Sequence, residues 1–298
     1  MPSGIWHAIG AYLLWGMLPI YWKWISQVSA LELIGHRIVW SCLMLGGVVV
    51  VSRQWKPFTA ALTPRVIRLY ALAALFIAIN WFTYVWAVNT GRVVHASLGY
   101  FINPLISVVL GVMVLGERLR PFQWVAVALA ATGVLYLTLT LGVLPWISLT
   151  LASSFGVYGL VKKTAPLGSV HGLTVETAIL LLPAIGYLLL LEQAGGGAFF
   201  RTGVLSATLI VGTGIVTAAP LLLFASAVQR VPLSQIGLLQ YIAPTMQLLL
   251  GVFLYREPFT RTQLIGFAMV WAGLLVFGVE GLVRRQDKGI GDLAISDS

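Results

Sequence analysis

Cysteine is nearly absent from this 298-residue sequence, which contains only Cys42. A single cysteine excludes an internal disulfide bond and leaves the redox compartment of the protein open. Histidine is also scarce, with four residues, and no pair of His or Cys residues lies at a spacing typical of metal ligands. We therefore expect no metal site and no other cofactor.

Charged residues are few as well. They make up 9% of the chain, against 59% hydrophobic residues, and the mean hydropathy is +0.95. A soluble domain of this length does not have such a composition, so a lipid bilayer is the expected solvent. Apolar runs of ~20 residues, the length that crosses a bilayer, follow one another with short polar breaks. They predict an all-α integral membrane protein with ten transmembrane helices, at residues 4–24, 30–51, 67–88, 93–115, 122–141, 144–161, 172–191, 204–228, 233–254 and 262–281.

The formal net charge is +9, but the basic residues lie mainly in the predicted loops, where they indicate topology rather than nucleic-acid binding. With the N-terminus in the cytoplasm, twelve of the eighteen Lys and Arg residues lie on the cytoplasmic side. We therefore expect both termini in the cytoplasm and no nucleic-acid partner.

The two halves of the chain are similar at a fixed offset of 140 residues. Each predicted helix falls on the helix five places later, and the residues that recur include types that chance rarely pairs in an apolar chain. The pairs are Trp6 with Trp146, Gly16 with Gly156, Lys23 with Lys163, Pro104 with Pro244, Gly111 with Gly251, Glu117 with Glu257, Gln123 with Gln263 and Gly133 with Gly273. We predict two five-helix domains, residues 1–141 and 142–281, and a disordered cytoplasmic tail at 282–298.

Because five is odd, the second repeat enters the membrane in the opposite orientation to the first. Inverted repeats allow inward-open and outward-open states of similar energy, which alternating access requires. A channel or a membrane-anchored enzyme has no such requirement. The repeat therefore favours a secondary transporter.

Ionisable side chains within membrane spans are costly and mark candidate pathways. Of the nine acids, only Glu32 and Glu176 fall inside a predicted span. Glu32, His36 and Arg37 lie within two helical turns, and His36 and Glu176 occupy equivalent positions in the two halves. These groups either hold a charged substrate or carry protons as the coupling ion; alternatively, Glu32 pairs with His36 or Arg37 and caps its helix near the outer headgroups.

Amides and prolines lie in the middle of other spans. Asn80 either contacts substrate or joins neighbouring helices. Pro104 and Pro244 each remove a backbone hydrogen bond and predict a kink that frees the carbonyl of Tyr100 or Gln240. Prolines also occur in membrane helices without a function, but two kinks at equivalent depth indicate a central cavity.

The ends of the spans and the loops contain little chemistry. Glu117 and Glu257 end their spans at opposite membrane faces, and a structural role is expected there, with gating as the alternative. The glycine run at 195–197 lacks the lysine of a phosphate-binding loop. Since no arrangement typical of a catalytic nucleophile is present, we expect no enzyme.

Several segments are specific enough to indicate a family. They are residues 15–23, 32–41, 80–89, 96–105, 116–118, 158–163 and 240–245. Through them the chain resembles the RarD permeases, of the EamA type in the drug/metabolite transporter superfamily, from about residue 4 to 280. The resemblance implies ten helices in two EamA repeats, a bacterial plasma-membrane location, and a central cavity between the repeats.

Carried over by motif, the resemblance implies substrate contacts from Glu32, His36, Arg37, Asn80, Trp81, Tyr100, Asn103, Glu176, Gln240 and Tyr241. Pro220 stands at the position equivalent to Asn80, so the cavity is expected to be asymmetric. The resulting hypothesis is a secondary active transporter that exports a small polar or amphipathic metabolite, amino-acid-like or drug-like. The alternative is a membrane scaffold or sensor that retains the fold without transporting.

Overall fold

The secondary structure is helical throughout the part of the chain that the computed structural model describes, residues 2–90, 92–141, 146–256 and 260–296. The all-α class predicted from the sequence is therefore confirmed. The helices are α1 Pro2–Trp24, α2 Ala30–Val51, α3 Trp55–Ala60, α4 Pro64–Asn89, α5 Val93–Met113, α6 Pro121–Leu141, α7 Trp146–Thr164, α8 Ser169–Gln193, α9 Gly203–Val228, α10 Leu233–Gln240, α11 Ile242–Leu249 and α12 Arg261–Ser296. A π-helical segment, Leu250–Leu254, continues α11.

Within the described ranges, seven segments are long and apolar enough to cross a membrane. They are Ala30–Val51, Pro64–Ala87, Pro121–Thr140, Ser169–Gln193, Gly203–Val228, Leu233–Leu254 and Arg261–Glu280. Their outer faces expose large apolar side chains such as Phe82 and Leu182, and Trp6 and Trp24 are exposed near the two ends of α1. Apolar surface bounded by tryptophan is typical of a bilayer environment. The chain is a multi-pass membrane protein.

The helices pack mainly against helices of the other half of the sequence. Helix α6 packs along α12, α5 against α7 and α10, α2 against α8 and α9, and α4 against α7; α1 contacts α9 and α11. The pairs α1 with α9 and α7 with α4 are equivalent under the 140-residue offset, and so are α1 with α11 and α7 with α5.

Glycine contacts repeat this equivalence at the atomic level. A Cβ added at Gly156 would lie 2.6 Å from Cγ2 of Ile106, and one at Gly16 would collide with Met246. Gly16 and Gly156 are 140 residues apart, and so are Ile106 and Met246. Each glycine therefore allows the first helix of one half to approach the fourth helix of the other.

A second pair of glycines brings α6 and α12 together. A Cβ at Gly133 would lie 2.8 Å from the carbonyl oxygen of Gly266, and one at Gly273 would lie 2.6 Å from that of Ala126. Only glycine permits backbone contact this close, and both contacts map onto each other by the same offset.

The two predicted proline kinks differ. Helix α5 continues through Pro104, whereas the equivalent helix is interrupted at Tyr241, between α10 and α11. Pro244 has no N–H to donate to the carbonyl of Gln240, which accounts for a break one turn before the proline.

The final helix extends further than the sequence indicated. Disorder was expected at residues 282–298, but α12 runs to Ser296. Arg284, Arg285, Gln286 and Lys288 are good helix formers, so an already formed helix continues readily through them.

Candidate functional site

A cavity of about 190 Å³ lies between the two halves, enclosed by α1, α2, α4, α5, α7, α9, α10 and α11. Its volume is below the ~300–1,000 Å³ of sites for drug-sized ligands, so it suits a smaller molecule. The structure brings six of the ten predicted site residues to its wall: Arg37, Asn80, Trp81, Tyr100, Asn103 and Gln240. It places Glu32, His36, Glu176 and Tyr241 elsewhere.

Arg37 extends from α2 into this cavity. Its Nε donates a 2.8 Å hydrogen bond to Oγ1 of Thr217 on α9. Its guanidinium carbon lies 4.6 Å from the ring centre of Trp81 and 5.1 Å from that of Trp22. Each such cation–π contact contributes about 0.5–2 kcal/mol, so the two tryptophans help to retain a charge that is costly inside the membrane.

Four amide side chains also line the cavity: Asn80, Asn103, Gln240 and Gln247. The Asn80 amide donates to the carbonyl of Leu151, at 2.8 Å, and to Oγ of Ser154, at 3.2 Å, and thereby joins α4 to α7. Asn103 and Gln240 are 4% and 6% exposed, and their buried amide oxygens have no hydrogen-bond partner among the described residues. A buried acceptor without a partner costs ~1–3 kcal/mol. A conformational change that brings a hydrogen-bond donor to either amide oxygen would therefore be favourable.

One end of the cavity is closed by aromatic rings. Trp15 packs against Phe155, with ring centres 5.7 Å apart, and Phe224 contacts both rings and stacks on Tyr158. Tyr12 lies beside them and is 1% exposed. This aromatic floor separates the cavity from the end of the bundle that contains the N-terminus of α1.

Beyond the floor, polar contacts hold the junction between α9 and α10. Glu117 accepts hydrogen bonds from the backbone N–H groups of Leu233, at 2.6 Å, and Ser234, at 2.8 Å, and from the Ser234 hydroxyl, at 2.6 Å. Lys163 donates to the carbonyl of Val231 at 2.5 Å. A carboxylate at a helix N-terminus is stabilised by the free N–H groups there, so the junction is clamped from two sides. Glu257, the counterpart of Glu117, lies outside the described residues.

Glu32 and His36 contact the loop between α8 and α9 rather than the cavity. Glu32 is 2% exposed and accepts a 2.6 Å hydrogen bond from the N–H of Ala198. His36 lies 3.8 Å from the Glu32 carboxylate and stacks on Phe199, with ring centres 5.0 Å apart. Ser29 caps α2 by accepting from the Glu32 N–H. Glu32 therefore lies beside His36 near the start of α2, as in the structural alternative, and it also binds the loop between α8 and α9, which the sequence did not indicate.

Glu176 belongs to a separate buried cluster. Its Oε1 lies 2.6 Å from Nζ of Lys162, and its Oε2 accepts a 3.0 Å hydrogen bond from the Tyr158 hydroxyl. Lys162 is 0% exposed, although the sequence placed it in a cytoplasmic loop. The difference arises because α7 continues to Thr164, one turn past the predicted end, so Lys162 remains inside the bundle.

Tyr241 lies at the contact between α5 and α10. Its hydroxyl donates a 3.1 Å hydrogen bond to the carbonyl of Phe101, and its side chain is fully buried. The sequence had assigned it to the substrate site together with Gln240. One residue along a helix turns the side chain by about 100°, which places Gln240 at the cavity and Tyr241 in the packing behind it.

Other wall residues were missed as site residues. Trp22, Tyr84 and Gln247 line the cavity. Trp22 falls in the motif at residues 15–23, which could have indicated it. Tyr84 lies one turn after Asn80, so the helical spacing from Asn80 could have placed it on the same face.

The geometry can be compared with known proteins. The model of the family described as EamA-like transporter family matches residues 2–139 and 144–279. The chain belongs to this family. Members also match it over most of their length: Protein RarD of Streptomyces exfoliatus is 47% identical, with 94% of this chain and 89% of the relative covered. For Protein RarD of Escherichia coli (strain K12) the identity is 40%, with coverages of 95% and 96%.

A further relative is the uncharacterized transporter YojE of Bacillus subtilis (strain 168), at 44% identity over 92% of this chain and 93% of the relative. Within the EamA-like transporters the chain therefore groups with the RarD permeases. A solved structure titled "Crystal structure of protein" superposes with a TM-score of 0.70 at 19% identity, covering 92% of this chain and 97% of that one. At this level of identity, the superposition shows a shared fold and nothing more.

Proposed function

We propose that this EamA-family protein is a secondary active transporter that moves a small polar or amphipathic metabolite across the bacterial inner membrane by alternating access. The observation that carries the proposal is the cavity itself, which is lined by both halves of the chain and closed at one end. An ion pathway would be continuous, whereas a carrier holds its substrate between two barriers that open in turn.

The architecture proposed for this function is ten spans in two inverted repeats, residues 1–141 and 142–281. Its support is the set of contacts that map onto each other by the 140-residue offset, at Gly16 and Gly156 and again at Gly133 and Gly273. Helices α1, α5 and α7 pack among the seven membrane-length segments, and together with them they make up the ten proposed spans.

The accessible end of the cavity is the end opposite the aromatic floor. Tyr84 and Tyr100 are each 38% exposed there, whereas Tyr12 and Phe224 are each 1% exposed. The cavity wall on α1 extends from Tyr12, at the floor, to Trp22, at the accessible end, which is ten residues or about 15 Å along the helix. In the proposed topology, with both termini in the cytoplasm as the distribution of basic residues favours, the accessible end faces the outside, and we assign this conformation to the outward-open state.

Topology can be tested with one cysteine at a time in a Cys42→Ser background. Gln54 and Ala194 are exposed loop residues at equivalent positions in the two halves. An impermeant thiol reagent applied from outside should label Ala194→Cys but not Gln54→Cys. Labelling of both residues from the same side would rule out the inverted repeat.

Transport is tested in proteoliposomes loaded with amino acids or amphenicols under an imposed proton gradient. A matched pair on α1 gives the control: Leu18 lines the cavity, and Leu14 is 40% exposed on the outer surface. Leu18→Trp should abolish flux by filling the cavity, and Leu14→Trp should retain it. A scaffold or sensor, the alternative function, would show no flux even for the unmodified protein.

A further inference from the structure

Arg37 is the one charged side chain among the described residues that line the cavity. The acids closest to it in sequence or by symmetry are already engaged: Glu32 accepts from the Ala198 N–H, and Glu176 pairs with Lys162. Arg37 forms no ion pair within the described part of the chain. Among the described residues, the positive charge of the cavity therefore has no carboxylate partner.

The contacts of Arg37 orient it, and among the described residues only its Nε has a hydrogen-bond partner. Its Nε donates to Thr217, and the rings of Trp22 and Trp81 lie close to its guanidinium carbon. Aromatic rings attract the cation but do not replace an acceptor for its Nη hydrogens. A guanidinium held in this way presents a planar pair of N–H groups, the geometry that binds a carboxylate through two parallel hydrogen bonds.

The charge and the walls of the cavity restrict the ligand further. A single positive charge balances a single negative charge, and a dianion would leave one charge without a partner in a medium where that is costly. A cationic ligand would be repelled by Arg37. The remaining wall is rich in aromatic rings, including Trp15, Trp81 and Tyr100, which suit an apolar or aromatic body.

We propose that Arg37 forms an anion-binding subsite and that the transported substrate is a small organic monocarboxylate with an apolar or aromatic body. This inference rests on the proposed function and extends it by naming the substrate class. It assigns the carboxylate to the Nη groups of Arg37 and the body to the aromatic wall.

The test is a binding measurement on the purified protein in detergent, by isothermal titration calorimetry, with matched pairs of carboxylates and their primary amides. The bodies range from methyl to phenylethyl, so that 3-phenylpropanoate is compared with 3-phenylpropanamide. At least one carboxylate should bind roughly 10- to 100-fold more tightly than its amide, the loss expected when a charge-assisted hydrogen-bonded pair is removed.

Variants of Arg37 identify the group responsible. Arg37→Gln should abolish the preference for the carboxylate, and Arg37→Lys should retain part of it because the charge remains while the planar donor pair is lost. Arg65→Gln is the matched control, since Arg65 is exposed at the other end of α4 from the cavity. Melting temperature and elution profile show whether each variant is folded; should Arg37→Gln not fold, the comparison of acid with amide on the unmodified protein decides.

The results separate this inference from the proposed function. If no carboxylate binds better than its amide, or if Arg37→Gln keeps the preference, the anion subsite is wrong. Flux of amides and carboxylates at equal rates would retain the transporter and remove the subsite. Selective binding of carboxylates without any flux would retain the subsite and contradict transport.

Discussion

The hydroxyl of Tyr241 donates a 3.1 Å hydrogen bond to the carbonyl of Phe101, and the two residues stand at the same position in the two halves, 140 residues apart. In the proposed inverted repeat, equivalent positions meet in this way only near the two-fold axis that relates the halves. Trp15 and Phe155, also 140 residues apart, are in ring contact beside the cavity. The proposed axis therefore passes close to the cavity, which is lined by residues of both halves.

The first prediction concerns Tyr241. Tyr241→Phe removes the hydrogen bond but keeps the ring, and it leaves a buried carbonyl with one acceptor site fewer satisfied. We expect a loss of about 1–2 kcal/mol in the free energy of unfolding, measured by denaturant titration in detergent micelles. Substrate affinity should not change; a fall in affinity at unchanged stability would return Tyr241 to the substrate site.

The positions of the helices were predictable because their evidence, the length of each apolar run, is local. The ends of the long helices were placed within about a turn, except for the C-terminal end of α12. Asn80 was predictable as a cavity candidate because a polar residue in the middle of an apolar span needs a polar environment. Arg37 was indicated by its place beside Glu32 and His36 at the start of its span and by the family resemblance.

The roles of Glu32 and Glu176 were less predictable because they depend on contacts distant in sequence. Glu32 binds the backbone 166 residues away, at Ala198, and no pattern in α2 indicates where that loop lies. Glu176 binds Lys162, only 14 residues earlier, but the pair forms only if α7 extends one turn further than its apolar run. Such small differences in helix ends decide whether a lysine lies in a loop or in the core.

The second prediction concerns this buried pair. Removal of one charge leaves the other without a partner, so Glu176→Gln and Lys162→Met should each lower the free energy of unfolding by about 3–5 kcal/mol. The double variant should recover much of that loss, because both charges are then absent. Thermal unfolding of the three variants in one detergent gives the comparison.

A role for Glu176 as a proton carrier would give a different pattern. The double variant would then be stable yet unable to use a proton gradient, while substrate exchange without a gradient would continue. If exchange and gradient-driven transport both recover in the double variant, the pair is structural.

The third prediction concerns the clamp at the closed end of the cavity. Glu117→Gln replaces a carboxylate that accepts three hydrogen bonds from residues 233 and 234, and charge-assisted bonds of this kind contribute about 1.5–3 kcal/mol each. The variant should open the closed end more often. Ala8, which is fully buried on α1 near this end, provides a reporter as Ala8→Cys in a Cys42→Ser background.

We expect thiol labelling of Ala8→Cys from the closed side to be roughly tenfold faster with Glu117→Gln, since ~1.4 kcal/mol changes a population tenfold. Glu192→Gln is the control, because Glu192 is an acid in the last turn of α8, at the opposite end of the bundle, where it lies 3.8 Å from Arg201. Equal labelling rates in the two variants would show that Glu117 does not hold the cavity closed.

The last prediction concerns the close packing of α6 and α12. A methyl group at Gly273 would lie 2.6 Å from the carbonyl oxygen of Ala126, whereas a methyl at Gly278, five residues later on the same helix, would meet no atom within 4 Å. Gly273→Ala should therefore cost about 1–3 kcal/mol through overpacking, and Gly278→Ala should be neutral or stabilise the helix by about 0.5–1 kcal/mol. Both are measured by denaturant unfolding.

Because both glycines lie in one helix, helix propensity affects them alike, and a difference between them reports the contact between the two halves. Equal stability of the two variants would mean that the helices can separate at Gly273 without cost, and the fifth helices would then not form a fixed seam.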